Sequence, residues 1–114
     1  MNNGWIGVDL DGTLAEYSGW QGESVIGRPI PIMMSRVKGW IFQGIEVRIV
    51  TARACVASQI PYVHKWLTDN GLPELQVTCS KDFDMICLYD DRAIQVESNT
   101  GKIIGRDFYA GSNS

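Results

Sequence analysis

Trp5-Ile6-Gly7-Val8-Asp9-Leu10-Asp11-Gly12-Thr13-Leu14 is the stretch on which the reading of this chain turns. Ile6 to Val8 are apolar and lie between Gly4 and an acidic turn, the signature of a short buried strand. Asp9 and Asp11 follow it, with Gly12 behind them. Two carboxylates this close at a strand end repel each other unless a cation or a proton separates them, and that cost marks a working site.

Working outward, residues 15–31 are rich in Gly, Ser and Pro and have no helical period, so they read as a loop or small hairpin carrying Tyr17 and Trp20. From Pro31 the pattern is helical, with Met33, Val37, Trp40 and Ile41 on one face and Gly44 as the stop. Glu46-Val47-Arg48-Ile49-Val50 is a second strand ended by Thr51. Val56, Ile60, Val63 and Leu67 share a helical face, Pro61 places the start of the regular helix near itself, and Gly71 ends it. Leu75 to Thr78 and Met85 to Tyr89 are two further strands, the last running into Asp90-Asp91. Ala93 to Ile104 suggests two short strands around Asn99-Thr100-Gly101. Strands alternating with helices predict an α/β fold: a Rossmann-like, doubly wound parallel sheet with helices on both faces, in three α/β/α layers.

The chain has 114 residues, enough for one domain with a core, expected over residues 1–110 with a flexible tail at 111–114. Its net charge of −3 and scattered Lys and Arg give no electrostatic footprint for tight nucleic-acid binding, though a nucleotide remains compatible. Cys55, Cys79 and Cys87 are odd in number and lack metal-ligand spacing, which fits a reduced cytoplasmic chain in which they pack. With no apolar run near the ~20 residues of a membrane span and no secretion-signal pattern, no membrane role is expected.

In such a sheet ligands bind outside the carboxyl ends of the strands. Asp9, Thr51, Lys81 and Asp90 each follow a different strand, so four segments deliver polar groups to one edge. Those groups can carry out phosphoryl transfer through an aspartyl phosphate. A carboxylate that attacks a phosphate dianion must overcome repulsion, which a divalent cation held by Asp9, a backbone carbonyl and Asp90 would offset. Lys81 would add positive charge and Thr51 a hydroxyl hydrogen bond, with backbone amides around Gly12 assisting. Asp11 would serve as acid and then base if its acidic neighbours raise its pKa. Magnesium is the expected ion, because the ligands are hard oxygens.

Asp9-Leu10-Asp11-Gly12-Thr13-Leu14, Val50-Thr51-Ala52-Arg53, Lys81 and Tyr89-Asp90-Asp91-Arg92, in that order, resemble the four motifs of the haloacid dehalogenase-like hydrolase superfamily. The resemblance covers roughly residues 5 to 97 and is similar to its small bacterial and viral members and to polynucleotide phosphatase domains. It implies Asp9 as nucleophile, Asp11 as general acid and base, Thr51 and Lys81 as phosphate ligands, Asp90 as metal ligand and Asp91 as a second metal or water ligand. The expected phosphate-binding set is Gly12, Thr13, Thr51, Ala52, Arg53 and Lys81, and the expected magnesium set is Asp9, Asp11, Asp90 and Asp91. Lys81 is followed by Asp82 where a proline often follows the family lysine, and Asp90 lacks the commoner preceding glycine.

The short gaps after the first and third strands leave little or no cap. An open site fits a large phosphorylated substrate such as a nucleic-acid end, or a nucleotide or small phosphate ester closed in by a second copy in a homo-oligomer. The implied activity is that of a phosphatase; a phosphotransferase and a phosphoacceptor or phosphate-binding module without turnover are the alternatives. Individual residues also have plainer readings. The acidic pair could be a solvated turn or a calcium loop, Arg53 a structural ion-pair partner, Lys81 a surface lysine and Asp91 a turn cap. Tyr17 and Trp20 could stack on a base or pack their loop down. His64 reads as a surface or half-buried residue, and no His is positioned to activate Cys55.

Overall fold

The computed structural model describes residues 4–106. The expected tail at 111–114, like residues 1–3 and 107–110, lies outside them. Four strands, β1 (Trp5–Val8), β2 (Glu46–Val50), β3 (Gln76–Thr78) and β4 (Met85–Tyr89), form a parallel sheet in the order β3-β2-β1-β4. Two helices, α1 (Pro31–Phe42) and α2 (Ile60–Asp69), connect β1 to β2 and β2 to β3. A separate antiparallel pair, β5 (Gln95–Val96) and β6 (Ile103–Ile104), matches the expected hairpin around Asn99. Among the described residues no helix is long and apolar enough to cross a membrane.

The α/β class and the parallel sheet agree with the sequence, but the layering does not. Register sets Ile6 beside Val47 and Val8 beside Ile49, which puts all four on one face. They share one buried cluster with Met33, Met34 and Val37 of α1 and with Val63, Trp66 and Leu67 of α2. Each fully buried aliphatic contributes roughly 1.5–3 kcal/mol before entropy is counted. Both helices therefore cover the same face. The cause is topological: two successive right-handed crossovers that step the same way along a sheet must lay their helices on the same side.

The other face is crossed by residues 79–84. Thr78 stands at the carboxyl end of β3 and Met85 at the amino end of β4, with two strands between them. That diagonal is roughly 19 Å, from strand spacings near 4.8 Å and a rise near 3.3 Å per residue. Seven residue steps reach about 25 Å when extended but only about 10 Å as a helix. The connection must therefore be extended, and no third helical layer forms there. Asp82 anchors it, accepting hydrogen bonds from Trp5 Nε1 at 2.8 Å and Arg48 at 3.2 Å. The Arg48 guanidinium also lies 4.4 Å from the centre of the Trp5 ring.

Both helices stop where their glycines predicted. Gly44 N–H returns to Ile41 O and Ile45 N–H to Trp40 O, and Gly71 and Leu72 repeat this on Thr68 and Leu67. Val56 departs from its expectation. It lies ahead of α2, extended and exposed between two single 3-10 turns, Ala52–Cys55 and Ala57–Gln59. The buried aromatic on α2 is Trp66 instead.

The loop after β1 has little structure of its own. Glu16 N–H bonds Arg28 O and Ile30 N–H bonds Leu14 O, so it is pinched at its base as a small hairpin. Trp66 Nε1 donates to Gly27 O at 2.8 Å and holds the loop against α2.

Candidate functional site

The sheet changes direction at β1: the chain leaves toward β2 and β3, then returns to pair β4 on the other edge of β1. A crevice opens at the carboxyl ends of neighbouring strands wherever the connections diverge in this way. Asp9 follows β1, and Asp90 and Asp91 follow β4, so the switch point carries three carboxylates. Asp9 N–H donates to Tyr89 O at 2.9 Å, which extends the ladder one residue past the strand and fixes the backbone there.

Carboxylate oxygens of Asp9, Asp90 and Asp91 lie within 4.8 Å of one another, a spacing at which they could hold a metal ion. Burial, then the charge of Asp90, then the hydrogen bond and charge of Asp91 push the Asp9 carboxyl up from 3.8 to about 7, against the opposing Leu10 N–H. Thr13 ties the two acidic segments together. Its hydroxyl accepts from Asp91 N–H at 2.9 Å and has the carboxylates of Asp91 and Asp9 at 3.2 and 3.4 Å to donate to. Gly12 makes the approach possible: its φ is +91°, and a Cβ there would run into the Asp91 carboxylate.

Asp11 stands outside this cluster, so three of the four acids of the expected metal set come together. Arg53 holds it, donating Nε to Oδ2 at 2.8 Å and Nη2 to Oδ1 at 3.0 Å. The same guanidinium donates to the carbonyls of Glu23 at 3.1 Å and Val25 at 2.9 Å, and lies 4.8 Å from the centre of the Trp20 ring. Arg53 is buried, with 4 % of its side chain exposed. One residue thus binds the acidic turn, the loop after β1 and the turn after β2. The bidentate fork is the geometry for which arginine is suited and lysine is not.

Thr51 is buried at the end of β2, where its N–H donates to Thr78 O at 2.9 Å and its hydroxyl accepts from Arg53 N–H at 3.2 Å. These elements wall a cavity of about 660 Å³, lined by Asp9, Asp11, Thr51, Ala52, Arg53, Asp90 and Asp91 together with Tyr17, Trp20, Val50, Cys55, Gln59, Cys79 and Arg92.

Three expected phosphate ligands, Gly12, Thr13 and Lys81, do not line the cavity. Gly12 N–H bonds Ala15 O at 2.8 Å and Thr13 N–H bonds Leu10 O at 3.2 Å, so the amides around Gly12 are spent inside the turn. Thr13 Oγ1 is occupied by Asp91, as described. Lys81 is exposed and is not among the residues that line the cavity. Positive charge at the cavity comes instead from Arg53 and Arg92. The resemblance motif contained Arg92 without giving it a task. Gln59 was missed; Cys55, Cys79 and Cys87, expected to pack, are instead exposed, and the first two line the cavity because each closely follows a strand end on the site edge. No family model, curated protein or solved structure matches the chain.

Proposed function

We propose that this protein is a magnesium-dependent phosphomonoester hydrolase of the haloacid dehalogenase-like kind, working through an aspartyl phosphate on Asp9. The observation that carries the reading is the trio Asp9, Asp90 and Asp91 packed around one point, with Asp11 held beside it by Arg53. Structural packing does not call for three converging acids and a half-buried Asp9 raised to about 7. The Rossmann-like reading of the fold belongs with this proposal, since the trio sits at the switch point where such sheets bind ligands.

The donor set fits magnesium: all three ligands are hard carboxylate oxygens, and no His or Cys shares the cluster. Bound there, the ion supplies the positive charge that lets a carboxylate approach a phosphate dianion. The remaining work belongs to the chain. An Asp9 oxygen attacks phosphorus as the ester P–O bond breaks. Thr51 and the backbone turn starting at Ala52 hold the phosphoryl oxygens, and Arg53 and Arg92 supply further charge. The arriving phosphate competes with Asp11 for the Arg53 guanidinium. Released from Arg53, Asp11 takes up a proton from solvent, passes it to the leaving oxygen and later takes one from the attacking water.

The cavity is open, and Tyr17 and Trp20, each about half exposed, stand at its wall. This supports an ester whose leaving group extends out of the site, as in a nucleotide, a nucleic-acid end or another small phosphate ester. Release of an aryl leaving group from an aryl phosphate, with magnesium, with chelator and with Asp9→Asn, tests the function. Magnesium-dependent turnover lost in the variant is expected. Turnover retained in Asp9→Asn overturns the mechanism, and phosphoryl transfer to an added alcohol in place of water would make the enzyme a phosphotransferase.

A further inference from the structure

Two of the three cysteines meet at the cavity. Cys79 follows Thr78, the residue in register with Val50 at the end of β2. Cys55 closes the 3-10 turn that begins straight after Thr51, and Thr51 N–H is bonded to Thr78 O. The turn curls back over β3 instead of running on from β2, so both side chains face the same cavity and both are exposed. The Cys55 thiol donates a hydrogen bond toward Cys79, and this raises its pKa above the ordinary thiol value. Neither thiol has a part in the proposed reaction. Cys87 is remote from them: it lies within β4, in register with Ile6, separated from β3 by two intervening strands and short of the site edge. A disulfide needs Cα atoms within about 7 Å, which three strand spacings exceed.

We propose that Cys55 and Cys79 form a reversible disulfide across the mouth of the cavity when the protein meets a peroxide. In the first step one thiolate attacks the O–O bond, giving a sulfenic acid and, after protonation, water. In the second, the other sulfur attacks the sulfenic sulfur, the S–S bond forms, and the hydroxyl leaves as water with the remaining thiol proton. The peroxide is reduced and the two cysteines are oxidised by two electrons in all. A low-molecular-weight thiol reverses the change by exchange. The bond ties the end of β3 to the turn bearing Thr51 and Arg53, and occupies wall that the leaving group would otherwise pass. Formation of the bond does not depend on the phosphatase reading; its effect on turnover does.

The sequence makes the test unambiguous. Trypsin places Cys55 in 54–65, Cys79 in 66–81 and Cys87 in 82–92. The reduced full-length protein is treated with stoichiometric hydrogen peroxide, alkylated, digested and mapped by mass. The expected product is 54–65 joined to 66–81 within one chain, lost on reduction, still formed in Cys87→Ser and absent in Cys79→Ser. Alkylation of Cys55 and Cys79 after peroxide, pairing of either with Cys87, or a link only between chains overturns the proposal. Because mass is the readout, a failure here is distinct from failure of the hydrolase reading. If aryl phosphate is turned over, the linked form is expected to lose that activity and regain it on reduction; equal rates in the two forms contradict closure of the cavity.

Discussion

Asp9 and Asp82 lie at opposite ends of the same sheet, and their surroundings push them in opposite directions. At the carboxyl end Asp9 is half-buried against Asp90 and Asp91, and its pKa rises to about 7. At the amino end Asp82 takes the Trp5 indole N–H, the Asp84 amide and the Arg48 guanidinium, and its pKa falls below the ordinary 3.8. One end holds uncompensated repulsion; the other is fully compensated. The difference supports the proposed chemistry at the carboxyl end, since nothing in the packing of the sheet requires three acids at the switch point.

The largest expected effect comes from removing the proposed nucleophile at the carboxyl end. Asp9→Asn should lower magnesium-dependent phosphatase turnover by more than about a thousandfold, since the shape is kept and the attacking group is lost. The same variant should unfold no more easily than the parent in metal-free buffer, as followed by urea denaturation. A large loss of stability would mean that the acidic cluster is structural, and the contrast between the two ends would fail.

Arg53→Ala comes next. It strands Asp11 and two loop carbonyls, and should cost about 3 kcal/mol in urea unfolding, the low end of the ~3–5 kcal/mol for breaking a buried ion pair, because Asp11 keeps 21 % of its side chain exposed. Arg53→Lys keeps the charge but loses the fork, and should fall between the parent and Arg53→Ala in both stability and turnover. If it matches the parent, the bidentate hold on Asp11 is unimportant.

The pH dependence sharpens the contrast further. Asp9 has a folded pKa above its unfolded value, so its contribution to stability is present below about pH 4 and is lost as pH rises through about 7. Asp82 has the opposite sign: its contribution is present above about pH 4 and lost as pH falls through its lowered folded pKa. Metal-free melting temperature should therefore carry a component that declines between pH 4 and 7 and that vanishes in Asp9→Asn. Magnesium should raise the melting temperature most at the alkaline end of that window, where Asp9 is ionised. A decline unchanged in the variant would place its origin elsewhere.

The smallest effect is expected at the compensated end. Trp5→Phe removes the indole hydrogen bond to Asp82 and should lower the melting temperature by only about a few degrees, with turnover unchanged. A fall in turnover would show that the crossover reports to the site after all.

The sequence made much of the site edge readable, because Asp9, Thr51, Asp90 and Asp91 each stand directly after an apolar strand run. The helix stops were readable for a similar local reason, at Gly44 and Gly71. What stayed hidden depends on distances across the fold. That both helices share a face follows from the strand order, which alternation of strands and helices does not reveal. That the segment after Thr78 is extended follows from the diagonal to Met85 measured against seven residue steps, which local sequence does not show. The Arg53–Asp11 pair spans 42 positions, and no local pattern joins them. The meeting of Cys55 and Cys79 likewise depends on the β2 and β3 register, which sets the turn after one strand beside the end of the other.

The most direct test of the central claim is to look for the phosphoryl group on the chain. The protein would be mixed with magnesium and excess aryl phosphate, quenched in acid during turnover, and treated with borohydride, which reduces an acyl phosphate but leaves free carboxylates alone. Peptide mass mapping then locates the change. Modification at Asp9, absent from Asp9→Asn and from protein held with chelator, is the predicted result. Turnover with the label at another residue, or with no trapped acyl phosphate under conditions where product is forming, would contradict the account.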